Sequence, residues 1–269
     1  MKTSTQTTRR PLFGKTMITL ALASPLVTLG LGCTPQDGGI EITEGAATAE
    51  TNGLSTLNGL RGHNGLRGHN GLVLSAALST ESGLSSSTGM MTTADGRLAV
   101  QYIATCALPM GRTLVKTDAT TGIRYSYPGQ IGLAPEWENG ACGQTCQEWV
   151  SACLLSLVNA TGNHVSLWMM AQSPVVGWGQ NTAYPRQEGS FFGNLFLDTP
   201  QAYYCAGRDY AVKPVLGRIG STLVDPTYTN IYGPGGKCAS TCTASDYPYM
   251  SDGYKACSGW NNVVTIWRQ

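Results

Sequence analysis

Cys106, Cys142, Cys146, Cys153, Cys205, Cys238, Cys242 and Cys257 constrain this chain more than any other residue set. Whether such a set forms disulfides, thiols or metal ligands depends on compartment, so the N-terminus is read first. Met1 to Lys15 is basic and polar and includes Arg9-Arg10. Met17 to Leu31 is apolar and small, Gly32-Cys33 closes the run, and Thr34 to Gly39 is loop-like. A charged region, a short apolar region and a small-residue boundary, in that order, make an export signal over 1–33. The apolar run holds Pro25, which breaks a helix ladder, and it falls short of the roughly 20 residues a spanning helix needs. In an exported chain, an even set of cysteines predicts a disulfide framework. Metal is the rival reading, because Cys142-x3-Cys146 and Cys238-x3-Cys242 fall within loose zinc spacing. No second pair of matching spacing follows either one, so no metal and no cofactor is expected.

Leu29-Gly30-Leu31-Gly32-Cys33 resembles a bacterial lipobox, with Gly30 standing where a Leu is usual. Acylation of Cys33 would anchor the chain to a membrane and leave no odd thiol. Thr8 to Lys15 looks like a twin-arginine signal. Cargo of that route folds in a reducing compartment, which fits a disulfide framework poorly, so the ordinary secretory route is preferred. The expected location is the outer membrane, as a lipoprotein, or the exterior.

Charged residues make up 12% of the chain. Lys2, Arg9, Arg10 and Lys15 all lie in the signal, which has no acid, so its removal turns the formal net charge from +1 to −3. Such a balance carries no footprint for nucleic acid.

Residues 34–90 lack Tyr and Trp and are rich in Gly, Ser, Thr and Ala. Asn52-Gly53-Leu54, Asn58-Gly59-Leu60, Asn64-Gly65-Leu66 and Asn70-Gly71-Leu72 recur every six residues. A hexapeptide solenoid needs several times as much repeated chain, and Asn-Gly favours turns, so a tether is expected here. His63 and His69, without a nearby carboxylate, make a poor metal site. Residues 91–269 hold every Tyr and Trp and suit one domain. Asp95 to Leu108 has helical periodicity stopped by Pro109. Cys146 to Leu157 predicts a second helix, with Cys146, Trp149, Val150, Cys153, Leu154 and Leu157 on one face. Cys146 and Cys153 lie about two turns apart, too far to bond each other, so they bridge to different partners. Thr113–Lys116 and Ile123–Tyr127 read as a hairpin turning at Thr121-Gly122. Further strands are expected at Val165–Ala171, Ser190–Phe196 and Val263–Trp267. The fold class is α+β: a β-rich, disulfide-stabilised domain with two helices.

Four segments together resemble an uncharacterised family of exported, cysteine-rich proteins of myxobacteria-like soil bacteria. They are Cys106-Ala107-Leu108-Pro109, Gly132 to Trp137, Cys146 to Leu155, and Phe192 to Phe196, preceded by the Asn-Gly-Leu repeats. The resemblance covers 50–269. It implies export and disulfides and no catalytic residue.

Chemistry is sparse. His164 is the lone histidine of the domain, no G-x-S-x-G elbow accompanies it, and a triad would have to use it. A satisfied structural histidine is the simpler reading. Glu136, Glu138, Glu148, Glu188, Asp198 and Asp209 lie among aromatic residues. Paired carboxylates beside aromatic platforms suit glycoside hydrolysis. Glu188 is the most suggestive, against the plainer reading of a strand-edge surface charge, while Glu148 suits a helix N-terminus. Trp137, Trp178, Tyr184 and Trp260 sit in Gly/Pro/Asn-rich loops, where flat side chains stack on sugars or partner proteins. Trp149 and Trp168 read as packing residues. The expectation is an exported binding or structural module, not an enzyme, whose partner is a glycan or protein at the cell surface. The alternative is a secreted polysaccharide hydrolase acting through Glu188 and a second carboxylate.

Overall fold

Two long helices form where the periodicity places them. In α1 (Ala94–Ala107) the Thr93 side chain accepts a hydrogen bond from the Gly96 N–H at 3.0 Å, satisfying one of the free first-turn donors. Asp95 lies in that turn, where the helix dipole favours an acid. The chain is extended by Leu108, and Pro109 cannot continue the helix. α2 (Gln144–Leu157) buries Cys146, Val150, Cys153, Leu154 and Leu157, with Trp149 half-buried. The Cys106–Cys153 disulfide joins the two helices. The Cys142–Cys146 disulfide closes the start of α2, so Cys146 and Cys153 do bridge to different partners.

The structure is a computed structural model that describes residues 49–52, 54–55, 76–80, 89–159, 165–198, 200–209, 232–246 and 253–269. All belong to one unit, Gly39–Gln269. Twelve strands occur among them: β1 (Ala49–Asn52), β2 (Leu54–Ser55), β3 (Thr113–Thr117), β4 (Arg124–Pro128), β5 (Val158–Asn159), β6 (Val165–Ala171), β7 (Arg186–Asn194), β8 (Gln201–Ala206), β9 (Tyr232–Lys237), β10 (Cys242–Ala244), β11 (Tyr254–Cys257) and β12 (Val264–Arg268). A short helix, α3 (Cys238–Thr241), links β9 to β10. The main sheet runs β1-β6-β12-β7-β8-β9 and is antiparallel except at β8 and β9. β3–β4, β10–β11 and β2–β5 form separate pairs. The α+β class with two long helices is therefore the observed one.

The core lies between the helices and the inner face of the sheet. Leu167, Met169 and Ala171 of β6, Phe191 of β7, Tyr204 of β8, and Val264 and Ile266 of β12 join Val150 and Leu154 of α2 in one cluster. Polar ties fix α2 to the sheet. The Ser151 hydroxyl accepts from the Leu195 N–H at 2.8 Å, and Asn194 donates to Gln147 at 2.9 Å. Glu148, expected to act through the helix dipole, is buried and accepts from Gln144 and Asn262 at 2.7 and 2.6 Å. It ties α2 to the loop before β12.

The expected hairpin is β3–β4. Its turn is held by Asp118, whose carboxylate accepts from the Thr120 N–H at 2.9 Å and the Thr120 hydroxyl at 2.6 Å. Gly122 supplies the positive φ of 72° the turn needs. The Thr120 hydroxyl and amide hold the Asp118 carboxyl below its ordinary 3.8, against the opposing push of burial.

The boundary drawn at residue 90 is corrected by the fold. β1 pairs with β6, β2 pairs with β5, and Leu78, Met90 and Met91 are buried in the core. Leu78 N–H donates to the Trp137 carbonyl at 2.8 Å, and Lys116 Nζ donates to the Thr80 carbonyl. Short polar-flanked segments such as Ala76–Thr80 carry too few residues for a period to show. Asn58 to Leu72, with His63 and His69, lies outside the described residues, as do Cys33 and His164. The strand expected at Ser190–Phe196 is β7 and begins earlier, because Arg186–Gly189 lacks the apolar alternation that marks a strand.

Candidate functional site

The outer face of the main sheet is aromatic. Alternation along β6 sends Leu167 and Met169 to the core and leaves Trp168 and Met170 on the opposite face. In β12 the same alternation leaves Thr265 and Trp267 outward, and in β7 and β8 it leaves Phe192 and Tyr203. Register brings these residues together. Trp168 is paired with Trp267, Thr265 with Met170 and Ser190, and Phe192 with Tyr203.

Two aromatic patches result. The first contains Met170, Tyr184 and Trp267, with Trp168 and Trp178 packed on them. Tyr184 stacks on Trp168 with centroids 6.1 Å apart and shares a 2.6 Å hydrogen bond with the Ser166 hydroxyl. The Trp168 indole donates to the Gly179 carbonyl. The Arg208 guanidinium lies 4.9 Å from the Trp267 ring. The second patch stacks Phe192 on Tyr203 at 5.5 Å and tilts Trp260 against Tyr203 at 5.9 Å. It rests on the disulfides Cys205–Cys238 and Cys242–Cys257. Between the patches, the Ser190 and Thr265 hydroxyls share a 2.9 Å hydrogen bond, and Thr265 also accepts from the Tyr254 N–H at 3.3 Å. Gly253, next to Tyr254, lies under the Trp178 ring: a Cβ there would stand 2.2 Å from it.

Trp168, Trp178, Tyr203 and Trp260 are half-buried. Two ion pairs lie on this side of the domain. Arg208 bonds Asp209 at 3.0 Å, and Lys255 pairs with Asp246. Exposed Gln180 and Asn261 lie beside Trp178 and Trp260 in the sequence. Among the described residues, the surface therefore offers flat apolar rings and amides beside two ion pairs.

Of the four aromatic residues singled out from the sequence, Trp178, Tyr184 and Trp260 come to this face. Trp137 does not. It is 0% exposed, sits edge-on to Phe196 at 5.7 Å and donates to the Ala76 carbonyl at 3.3 Å. Its ring has no surface to stack on a ligand, so its role is corrected to core packing. Trp168, read as a packing residue, and Tyr203, not singled out, are added. Both lie on strands apolar on two faces, a pattern that hides which face is outward.

The carboxylates do not assemble in the open. Glu188 is 3% exposed, so it is no surface charge. It falls where the β7–β12 register shifts between Ile266 and Trp267. Its backbone carbonyl accepts from Gly207 N–H and the Tyr204 hydroxyl. Asp209 reaches the same end of β7, accepting from the Gln187 N–H at 2.9 Å. Both carboxylates are thus near one bulge, but Glu188 is enclosed and Asp209 is ion-paired. Glu138 pairs with Arg112 at 2.9 Å, and Glu136 and Asp198 are exposed.

Comparison with protein-family models, curated proteins and solved structures finds no match to this chain.

Proposed function

We propose that the chain is an exported, envelope-associated module that binds a neutral glycan on the outer face of its sheet. The half-buried set Trp168, Trp178, Tyr203 and Trp260, on one face beside the ion pairs Arg208–Asp209 and Lys255–Asp246, carries this reading. Sugar rings present C–H faces that pack on aromatic faces, and their hydroxyls match amides and hydroxyls at the rim. A scaffold fixed by disulfides loses little entropy when a ligand settles on it. The enclosure of Glu188 favours binding over hydrolysis. Export rests on the signal over 1–33 and on the disulfides of the domain. Membrane attachment rests on the Gly32-Cys33 boundary.

The test is affinity electrophoresis and calorimetry of the purified domain against neutral and acidic polysaccharides. Binding to a neutral polymer that falls at least tenfold in Trp260→Ala or Trp178→Ala is expected. Absence of glycan binding, or binding indifferent to both changes, overturns the reading, and saturable capture of an envelope protein would replace it. Turnover abolished by Glu188→Gln would favour the hydrolase. Cys33→Ser should move the protein from the membrane to the soluble fraction. If the unchanged protein is already soluble, the lipid anchor is excluded.

A further inference from the structure

Four sulfurs from distant parts of the sequence meet beneath the second aromatic patch. Cys205 lies on β8, Cys238 opens α3, Cys242 opens β10 and Cys257 closes β11. The disulfides Cys205–Cys238 and Cys242–Cys257 are in contact: Cys205 Sγ stands 3.4 Å from Cys242 Sγ. The sulfurs of Cys205, Cys238 and Cys242 all lie within 4.8 Å of one another. Cys106–Cys153 and Cys142–Cys146 form no such group among the described residues. Cys205, Cys238 and Cys257 are buried and Cys242 is half-buried.

Two chemistries could use four convergent sulfurs. One is a disulfide relay, in which a freed Cys242 thiolate displaces Cys238 from Cys205. Displacement at sulfur runs in line, and a covalent S–S of about 2.0 Å beyond a 3.4 Å contact would put the outer sulfurs more than 4.8 Å apart. The observed group is bent, which does not suit that step. The other chemistry is a cage. Four thiolates around a tetrahedral ion with bonds of about 2.3 Å stand about 3.8 Å from one another; the sulfurs of Cys205, Cys238 and Cys242 lie within 4.8 Å of one another, and that of Cys257 is bonded to Cys242.

We infer that Cys205, Cys238, Cys242 and Cys257, when reduced, hold a single thiophilic divalent cation of the zinc class. The local structure favours a closed, four-ligand site. Cys238 and Cys242 flank the single turn of α3, and their sulfurs lie within 4.8 Å of each other. Cys242 and Cys257 are register partners. Behind Cys257, the backbones of Cys257 and Trp260 exchange two hydrogen bonds of 2.8 Å around a tight turn with positive φ at Ser258 and Gly259. The Thr241 hydroxyl donates to the Lys237 carbonyl at 3.2 Å and lies 3.7 Å from Cys242 Sγ. Binding displaces the thiol protons to solvent. Oxidation reverses the state: each disulfide forms as two thiolates lose two electrons to an external disulfide-class oxidant, and the cation leaves. The disulfide form and the metal form are thus alternatives set by compartment, and either one fixes the floor of the aromatic patch.

The test uses the full chain, reduced anaerobically with a phosphine and titrated with Co²⁺. Thiolate charge-transfer bands and tetrahedral ligand-field bands saturating at one equivalent are expected, with Zn²⁺ displacing Co²⁺. The bands should vanish in Cys205→Ser and in Cys242→Ser and persist in Cys142→Ser. Near-UV circular dichroism controls for folding: if reduction alone unfolds the chain, Zn²⁺ should restore the aromatic signal. No saturable tetrahedral binding, bands that survive Cys205→Ser, or failure of Zn²⁺ to restore an unfolded reduced chain would each overturn the inference.

Discussion

Trp168 on β6 and Trp267 on β12 stand directly opposite each other on the outer face of the sheet, yet only one indole is satisfied. Trp168 Nε1 donates to the Gly179 carbonyl. Trp267 is 4% exposed and its Nε1 has no partner among the described residues. A buried unpaired donor costs about 1–3 kcal/mol. Trp267→Phe removes that donor while leaving a small void, and the two effects offset to within about 1 kcal/mol. Trp168→Phe strands the Gly179 carbonyl and costs about 1–2 kcal/mol, although Trp168 is the less buried of the two. Urea midpoints of the two variants check the order. The reverse order would mean that the Trp267 donor has found an acceptor.

Gly253→Ala tests the same face without replacing an aromatic residue. A Cβ at 253 would stand 2.2 and 2.7 Å from two Trp178 ring atoms, so the ring must move. Glycan affinity should fall by the same factor as in Trp178→Ala, with a shift in tryptophan emission. Unchanged affinity would show that the position of Trp178 does not matter to binding.

The disulfides differ in what they close. Cys106–Cys153 spans 47 residues and Cys142–Cys146 spans 4. Loop-closure entropy assigns about 4 kcal/mol to the first and about 2 kcal/mol to the second at 25 °C. Replacing Cys106 and Cys153 together by Ala should therefore lower the denaturation midpoint about twice as far as replacing Cys142 and Cys146. Equal losses would mean that local packing, not chain closure, sets their contribution.

The Asp118 carboxyl titrates below the ordinary Asp value because Thr120 bonds its charged form. Folding thus favours the ionised state. Its contribution is full above the unfolded value of 3.8 and is lost as pH falls through the lower folded value. Asp118→Asn should flatten the acid limb of the stability–pH curve below about pH 4 and leave neutral-pH dependence unchanged. An acid limb identical to the parent would remove Asp118 from that role.

The sequence by itself determined the long elements and the kind of chemistry open to the cysteines. α1 and α2 repeat their apolar residues often enough for the period to be read, and β6 runs over the span expected of it. The separation of Cys146 from Cys153 along a helix excluded a bond between them, and the structure gives each a different partner. Tertiary structure decided the rest. β8, β10 and β11 carry cysteines and tyrosines whose period is too short to declare a strand. Trp137 and Trp260 stand in similar Gly/Pro/Asn-rich sequence, yet Trp137 lies in a short helical turn and packs with Phe196 and Leu78 in the core, while Trp260 packs on the outer face of the sheet. Cys238 and Cys242 lacked a second pair because Cys205 and Cys257 arrive from remote strands. Local periodicity reports which side of an element is apolar. Which apolar side meets the core, and which distant side chains share a point, follows only from pairing across the sheet.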